Sequence, residues 1–219
     1  MNSNEVREKI EAIGIVPCAR VTVADYAIYA AQTLYDAGLP IIEVTLTLRE
    51  APQVIEQLAA RLPDLIVGAG TILDEAAAQR SIDAGARFIT SPGLIPEVIA
   101  CAKRAGVVVF PGALTPSEVI AAWKAGADFV KIFPAATVGG PDYVRALKVP
   151  LSQIPIIVTG GVNQLTAFDY IRSGASAIGV GKELLPKESL IHRQTNRIEQ
   201  LAGRFIKMVN EARKQIEFD

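Results

Sequence analysis

Several residue types are scarce in this 219-residue chain, and each scarcity excludes something. Histidine occurs once, so neither a His-rich metal site nor a Ser-His-Asp triad can be built unless His192 itself serves. The polar surroundings of His192, residues 190–197, mark it as exposed and inert. Cysteine occurs twice, as Cys18 and Cys101, in apolar runs without a CxxC pair, which argues against a disulfide framework or a zinc knuckle. Cys18 reads as a small filler of a core or lumen. An excess of either charge is missing: 22 Lys and Arg face 23 Asp and Glu, with no basic run to hold nucleic acid or an acidic membrane. Long hydrophobic runs are missing too. The apolar runs present, such as 107–110, fall far short of the ~20 residues that cross a bilayer. Residues 1–9 are polar and charged, unlike a secretory leader. Aromatics are only 6% of the chain, and Trp123 and Tyr143 read as packing residues. A soluble, reduced, core-rich intracellular domain is the expectation, with no nucleic-acid and no membrane partner.

What is abundant is apolar side chain, half of all residues, arranged in a weak repeat. A small residue and a glycine close a helical stretch, and a short apolar run follows. The marking glycines are Gly38, Gly85, Gly106, Gly126 and Gly174, spaced 47, 21, 20 and 48 residues apart, close to two units, one, one and two. Each reads as a helix C′ residue at positive φ. The runs that follow are rich in Val and Ile, as strands buried on both faces of a parallel sheet are. Filling the double gaps with 66–71 and 156–161, and adding 15–20, gives eight runs. Residues 24–37 read as an amphipathic helix starting near a Thr22/Asp25 cap. Residues 116–125 begin with a capping box, Thr115 with Glu118, and with Pro116 at the first helical position. An N-terminal helix precedes the first run, and residues 187–217 read as an amphipathic C-terminal helix. No linker divides the chain, so residues 1–219 are expected to form a single α/β domain, a (β/α)8 TIM barrel, with an open doubly wound sheet as the competing architecture.

Strand parity then assigns faces. Glu43 shares a face with Ile41, Thr45 and Thr47. Lys131 shares one with Phe129 and Phe133, and Arg20 shares one with Val16 and Cys18. In a barrel these sets would converge on the lumen near the C-terminal strand ends, where barrel enzymes place their chemistry. Lysine is almost never fully buried unless paired. A lysine desolvated among apolar groups can become a neutral amine, able to attack a ketone and form a Schiff base that acts as an electron sink. The plainer reading is a lysine that snorkels to water or pairs structurally with Glu43. Glu43 in turn is either half of that ion pair or a general acid/base.

Thr159-Gly160-Gly161 and Gly179-Val180-Gly181-Lys182 end the seventh and eighth runs. Glycines there let backbone N–H groups approach an anion, with the following helix N-terminus adding its dipole, and barrels commonly bind phosphate after strands seven and eight. Lys182 either adds charge to that site or is a solvated surface lysine. Other motifs fail. Gly68-Ala69-Gly70 lacks the third glycine of a dinucleotide fingerprint, and Gly181-Lys182 is followed by Glu183 where a P-loop needs Ser or Thr.

Ile42-Glu43-Val44-Thr45-Leu46, Val67-Gly68-Ala69-Gly70-Thr71, Ser91-Pro92-Gly93, Phe110-Pro111-Gly112, Val130-Lys131-Ile132-Phe133-Pro134-Ala135 and Val158-Thr159-Gly160-Gly161-Val162 resemble 2-keto-3-deoxy-6-phosphogluconate (KDPG) aldolases, grouped with 4-hydroxy-2-oxoglutarate (KHG) aldolases. The resemblance runs from about Gly14 to Gly181. It implies a (β/α)8 barrel, a cytoplasmic homotrimer, a small-molecule keto acid substrate, and a class I aldolase needing neither metal nor cofactor. It places Lys131 at the Schiff-base position and Glu43 at the acid/base position. Thr71, Pro92, Phe133 and Thr159 fall on pocket positions, and Gly160 and Gly161, with Gly181 and Lys182 after them, on the phosphate loops. Two positions depart from the family. Some members carry an arginine for the substrate carboxylate where this chain has Thr47; Arg20 or Arg49 would replace it. Many carry serine where this chain has Lys182. Two other functions remain open on the residues alone: a sugar-phosphate isomerase or epimerase without an imine, and a non-catalytic phosphosugar-binding barrel.

Overall fold

The structure, a computed structural model, describes residues 1–216. Among them nine strands alternate with ten α-helices. The strands are β1 (Ile15–Ala19), β2 (Ile41–Thr45), β3 (Ile66–Gly70), β4 (Phe88–Thr90), β5 (Val108–Phe110), β6 (Gly112–Ala113), β7 (Val130–Ile132), β8 (Ile156–Thr159) and β9 (Ala177–Val180). The helices are α1 (Ser3–Ile13), α2 (Ala24–Asp36), α3 (Ala51–Arg61), α4 (Glu75–Asp83), α5 (Pro96–Arg104), α6 (Pro116–Lys124), α7 (Gly140–Lys148), α8 (Ala167–Arg172), α9 (Lys187–Ile191) and α10 (Thr195–Ile216), with a 3₁₀ turn at Ala135–Val138 before α7.

The strands run β5-β4-β3-β2-β1-β9-β8-β7-β6, every pairing parallel. The two ends of that order are neighbours in the chain, separated only by Pro111. They are halves of one interrupted run: β5 pairs with β4, β6 pairs with β7, and the sheet closes on itself. The interruption has a cause. Pro111 has no N–H to donate, although its carbonyl still accepts from the Lys131 N–H at 2.9 Å. The fifth run is therefore longer than its apolar stretch 107–110 suggests, and the eight-unit repeat becomes a (β/α)8 barrel.

The five marking glycines take φ between 67° and 98°, so each helix ends in the left-handed residue that only glycine adopts cheaply. Thr115 and Glu118 form the capping box of α6. Two sequence expectations need correction. Neither Thr22 nor Asp25 caps α2: Val23 occupies the N-cap without a side-chain bond, and Asp25 pairs with Arg193 instead. The C-terminal stretch is two helices rather than one, broken after Ile191 with Arg193 at φ 47°, and Glu217 lies outside the described residues. No helix among the described residues is long and apolar enough to cross a membrane.

The lower barrel is an aromatic layer. The Phe88 and Phe110 rings stack with centroids 5.0 Å apart, and Phe129 meets Phe110 edge-on at 5.3 Å. Gly68 makes room for this layer, since a Cβ there would lie 2.4 Å from the Phe88 ring. Helix α1 buries Val6 and Ile10, and the Arg7 guanidinium lies 6.0 Å from the Phe129 centroid. The lower lumen is filled, which leaves the opposite, C-terminal end of the strands open for a site.

Candidate active site

One layer above the phenylalanines, three polar side chains meet. Lys131 comes from β7, Glu43 from β2 and Thr90 from β4, the sixth, second and fourth β/α units. Side chains from alternate strands form the layers of such a barrel. Lys131 is 6% exposed, Glu43 3% and Thr90 not at all. The Lys131 Nζ stands 3.9 Å from Glu43 Oε2 and donates to Thr90 Oγ1 at 3.3 Å; Thr90 Oγ1 donates to Glu43 Oε2 at 2.9 Å. A buried lysine is thus held by one carboxylate and one hydroxyl, satisfying the requirement that buried charge or polarity be partnered.

Backbone chemistry clears the space. A Cβ on Gly70, in β3 between β2 and β4, would fall 2.1 Å from Glu43 Oε1, so only glycine lets the carboxylate lie there. Cys18 sits opposite Glu43 in the β1–β2 register, buried. Burial pushes its thiol pKa well up, and the nearby Glu43 charge pushes in the same direction, so this cysteine is a protonated wall and not a nucleophile. The Phe133 ring centroid is 5.6 Å from the Lys131 Nζ.

Cys18 and Phe133, neighbours of the Lys131–Glu43 pair, also line a cavity of about 620 Å³, whose wall does not itself include Lys131, Glu43 or Thr90. Its wall includes Arg20, Thr159, Gly160, Gly161, Gly181 and Lys182. Gly160 and Gly161 take φ 90° and 86°, and a Cβ on Gly161 would lie 2.3 Å from Ala136 Cβ, so the seventh loop turns in a way closed to larger residues. Gly179 faces Thr159: a Cβ there would fall 2.2 Å from its hydroxyl. Helix dipoles contribute less at this rim than the sequence suggests. Helix α8 begins at Ala167, after a turn closed by the Asn163 side chain, and α9 begins at Lys187, after a turn in which Leu184 and Leu185 donate to the Gly181 carbonyl.

The other sequence candidates stand apart from this wall. Thr47 lies past the end of β2, exposed, its hydroxyl 2.7 Å from that of Thr45. Arg49 is exposed and does not line the cavity, whereas Arg20 does. Thr71, just past β3, takes φ 62°, a left-handed conformation costly for a β-branched residue. The Pro92 carbonyl packs where a Cβ on Gly112 would be, 2.2 Å away. His192 is exposed beside Glu188. Tyr143 anchors to the Leu114 carbonyl through its hydroxyl, a packing role. The sequence reading passed over Thr90. Its signal was available, because Thr90 shares strand parity with Phe88 and so faces the lumen. Among the described residues no group of three His, Cys, Asp or Glu side chains is placed to hold a metal.

The profile of the family described as KDPG and KHG aldolase matches residues 6–201. The KHG/KDPG aldolase of Escherichia coli K12 is 32% identical over 188 residues, 86% of this chain and 88% of that protein. The "Probable 2-dehydro-3-deoxy-6-phosphogalactonate aldolase" of Rhizobium meliloti is 35% identical over 153 residues, 69% of this chain and 72% of that protein. The crystal structure of the KDPG aldolase from Legionella pneumophila, with pyruvate captured at low pH as a covalent carbinolamine intermediate, superposes with a TM-score of 0.83 at 27% identity, covering 90% of this chain and 96% of that one. Sequence, fold and the buried Lys–Glu pair agree, and the chain belongs to the KDPG and KHG aldolase family of aldehyde-lyases.

Proposed function

We propose that the chain, acting as one barrel domain, cleaves a 2-keto-3-deoxy-6-phospho sugar acid of the KDPG type to pyruvate and glyceraldehyde 3-phosphate through an imine on Lys131. The observation that carries this is the Lys131 nitrogen, buried 3.9 Å from the Glu43 carboxylate and 5.6 Å from the ring centroid of Phe133, which lines a cavity rimmed by two glycine loops and Lys182. The Lys131 amine attacks the C2 ketone to give a carbinolamine. Glu43 moves the protons as that hydroxyl leaves as water, giving the protonated imine. Glu43 takes the proton of the C4 hydroxyl, the C3–C4 bond breaks, and its electron pair forms the C2–C3 enamine while the imine electrons return to nitrogen and the aldehyde departs. Glu43 then helps deliver a proton to C3, and water releases pyruvate and free Lys131.

Thr71, Thr159 and Arg20 hold the substrate carboxylate, each charge-assisted contact contributing about 1.5–3 kcal/mol. Phe133 and Pro92 shape the pocket around the keto acid. The N–H groups of Gly160, Gly161 and Gly181, with Lys182, receive the phosphate. Lys182 favours a phosphorylated substrate over the dicarboxylate 4-hydroxy-2-oxoglutarate, because a dianion at the rim gains most from the added cation. Thr47 has no part in this reading, since it is exposed past the end of β2 with its hydroxyl engaged by Thr45. A homotrimer in the cytoplasm belongs to the same reading.

Steady-state pyruvate release from phosphorylated and unphosphorylated 4-hydroxy-2-keto acids, each as both C4 epimers, tests it. The expected result is a kcat/KM at least about 10-fold higher for a phosphorylated acid, the effect of one charge-assisted contact. Equal values with and without phosphate overturn the substrate assignment and leave the cleavage chemistry standing.

A further inference from the structure

The Lys131–Glu43 separation of 3.9 Å is too long for a direct hydrogen bond between the amine and the carboxylate. The space between them is spanned by Thr90, whose hydroxyl accepts from Lys131 Nζ at 3.3 Å and donates to Glu43 Oε2 at 2.9 Å. Thr90 has no solvent exposure, and it ends β4, so its backbone is fixed on both sides: β4 pairs with β3 and β5, and the Thr90 carbonyl accepts from the Ile72 N–H at 3.1 Å. Gly70 gives the carboxylate its place beside this hydroxyl. A valine of the same shape would fill the site equally well, so packing alone does not call for an oxygen here.

We infer that Thr90 is the positioning residue of the reaction, a hydroxyl bridge that aligns Glu43 with Lys131 and conducts protons between them. The inference rests on the imine reading of Lys131. In the step that frees the amine, Lys131 gives a proton to Thr90 Oγ1 while Thr90 gives its own hydroxyl proton to Glu43 Oε2. The nitrogen is left neutral, Glu43 is left protonated, and Thr90 is unchanged in composition. Running backwards, the same bridge restores the ammonium after pyruvate leaves. No further reactant is required.

The test is the set Thr90→Val, Thr90→Ala and Thr90→Ser, each assayed for kcat and KM and for the rate of borohydride-trapped pyruvate adduct on Lys131, with melting temperature as the check on folding. Removing the hydroxyl is expected to lower kcat and the trapping rate about 100-fold with KM within about twofold, the size of a lost proton-transfer aid. Thr90→Ser, which keeps the oxygen, is expected to recover to within about fivefold of the unsubstituted chain. Thr90→Ala carries the same expectation as Thr90→Val if the valine variant does not fold. Unimpaired trapping and kcat in Thr90→Val or Thr90→Ala overturn the bridge, and so does a Thr90→Ser variant as slow as they are. An unsubstituted chain that gives no adduct overturns the imine reading itself, a different failure from either of these.

Discussion

Glu43 and Lys131 are close because small residues let them be. The interior of the barrel alternates bulky and absent side chains: Gly68 beneath the Phe88 ring, Gly70 beneath the Glu43 carboxylate, Gly179 against the Thr159 hydroxyl. These glycines are not all conformational devices. Gly70 is needed because nothing larger fits, not because its backbone is unusual. Gly70→Ala is therefore expected to fold, because the carboxylate is the mobile end of a flexible side chain, yet to displace Glu43 by about 1 Å and lower kcat about 100-fold, the usual consequence of misplacing a reacting group. Circular dichroism and pyruvate release check the two halves; a fully active alanine variant contradicts the placement of Glu43. At this scale Lys131 and Glu43 were legible in the sequence, since charged residues in Val/Ile runs are rare and parity aims both inward. Arg20 and Arg49 were not separable there, because two positions just past strand ends differ only in how each loop turns.

Helix ends show how far local sequence reaches. The capping box at α6 forms as Thr115, Pro116 and Glu118 suggest, with Glu118 accepting from the Leu114 and Thr115 N–H groups at 2.8 Å each. Those backbone bonds hold the Glu118 carboxyl below its ordinary pKa. A depressed folded-state pKa means a contribution to stability that is present above the unfolded value and is lost as pH falls through the folded one. Thr115→Ala is expected to cost about 1 kcal/mol at neutral pH. Glu118→Gln is expected to flatten the loss of stability on acidification below the usual carboxylate range. Chemical denaturation across pH measures both, and a Glu118→Gln variant whose acid sensitivity matches the parent contradicts the assignment. The start of α2 was misread for the opposite reason: Asp25 looks like a cap, but a tertiary partner, Arg193, 168 residues away, takes it. The C-terminal break at residues 192–194 was hidden because helical periodicity continues on both sides of a single residue, Arg193, at positive φ.

The whole barrel was legible because the glycine spacing is a property of the unit, one helix and one strand, and not of any single element. Eight such units with strands apolar on both faces leave few architectures to choose between. Pro111 is the exception: splitting the fifth strand is a matter of one missing N–H, which apolar patterning does not register. Closure of the ring brings residues 43, 90 and 131 together from strands far apart in the chain, and it leaves the cavity open at the end opposite the aromatic layer. The central claim is that this closed ring holds one nucleophilic amine. Borohydride reduction in the presence of pyruvate, followed by peptide mass mapping, tests it most directly. The account predicts a single reduced pyruvate adduct on Lys131 that is absent from Lys131→Met. No adduct, or an adduct on a surface lysine that persists in Lys131→Met, contradicts it.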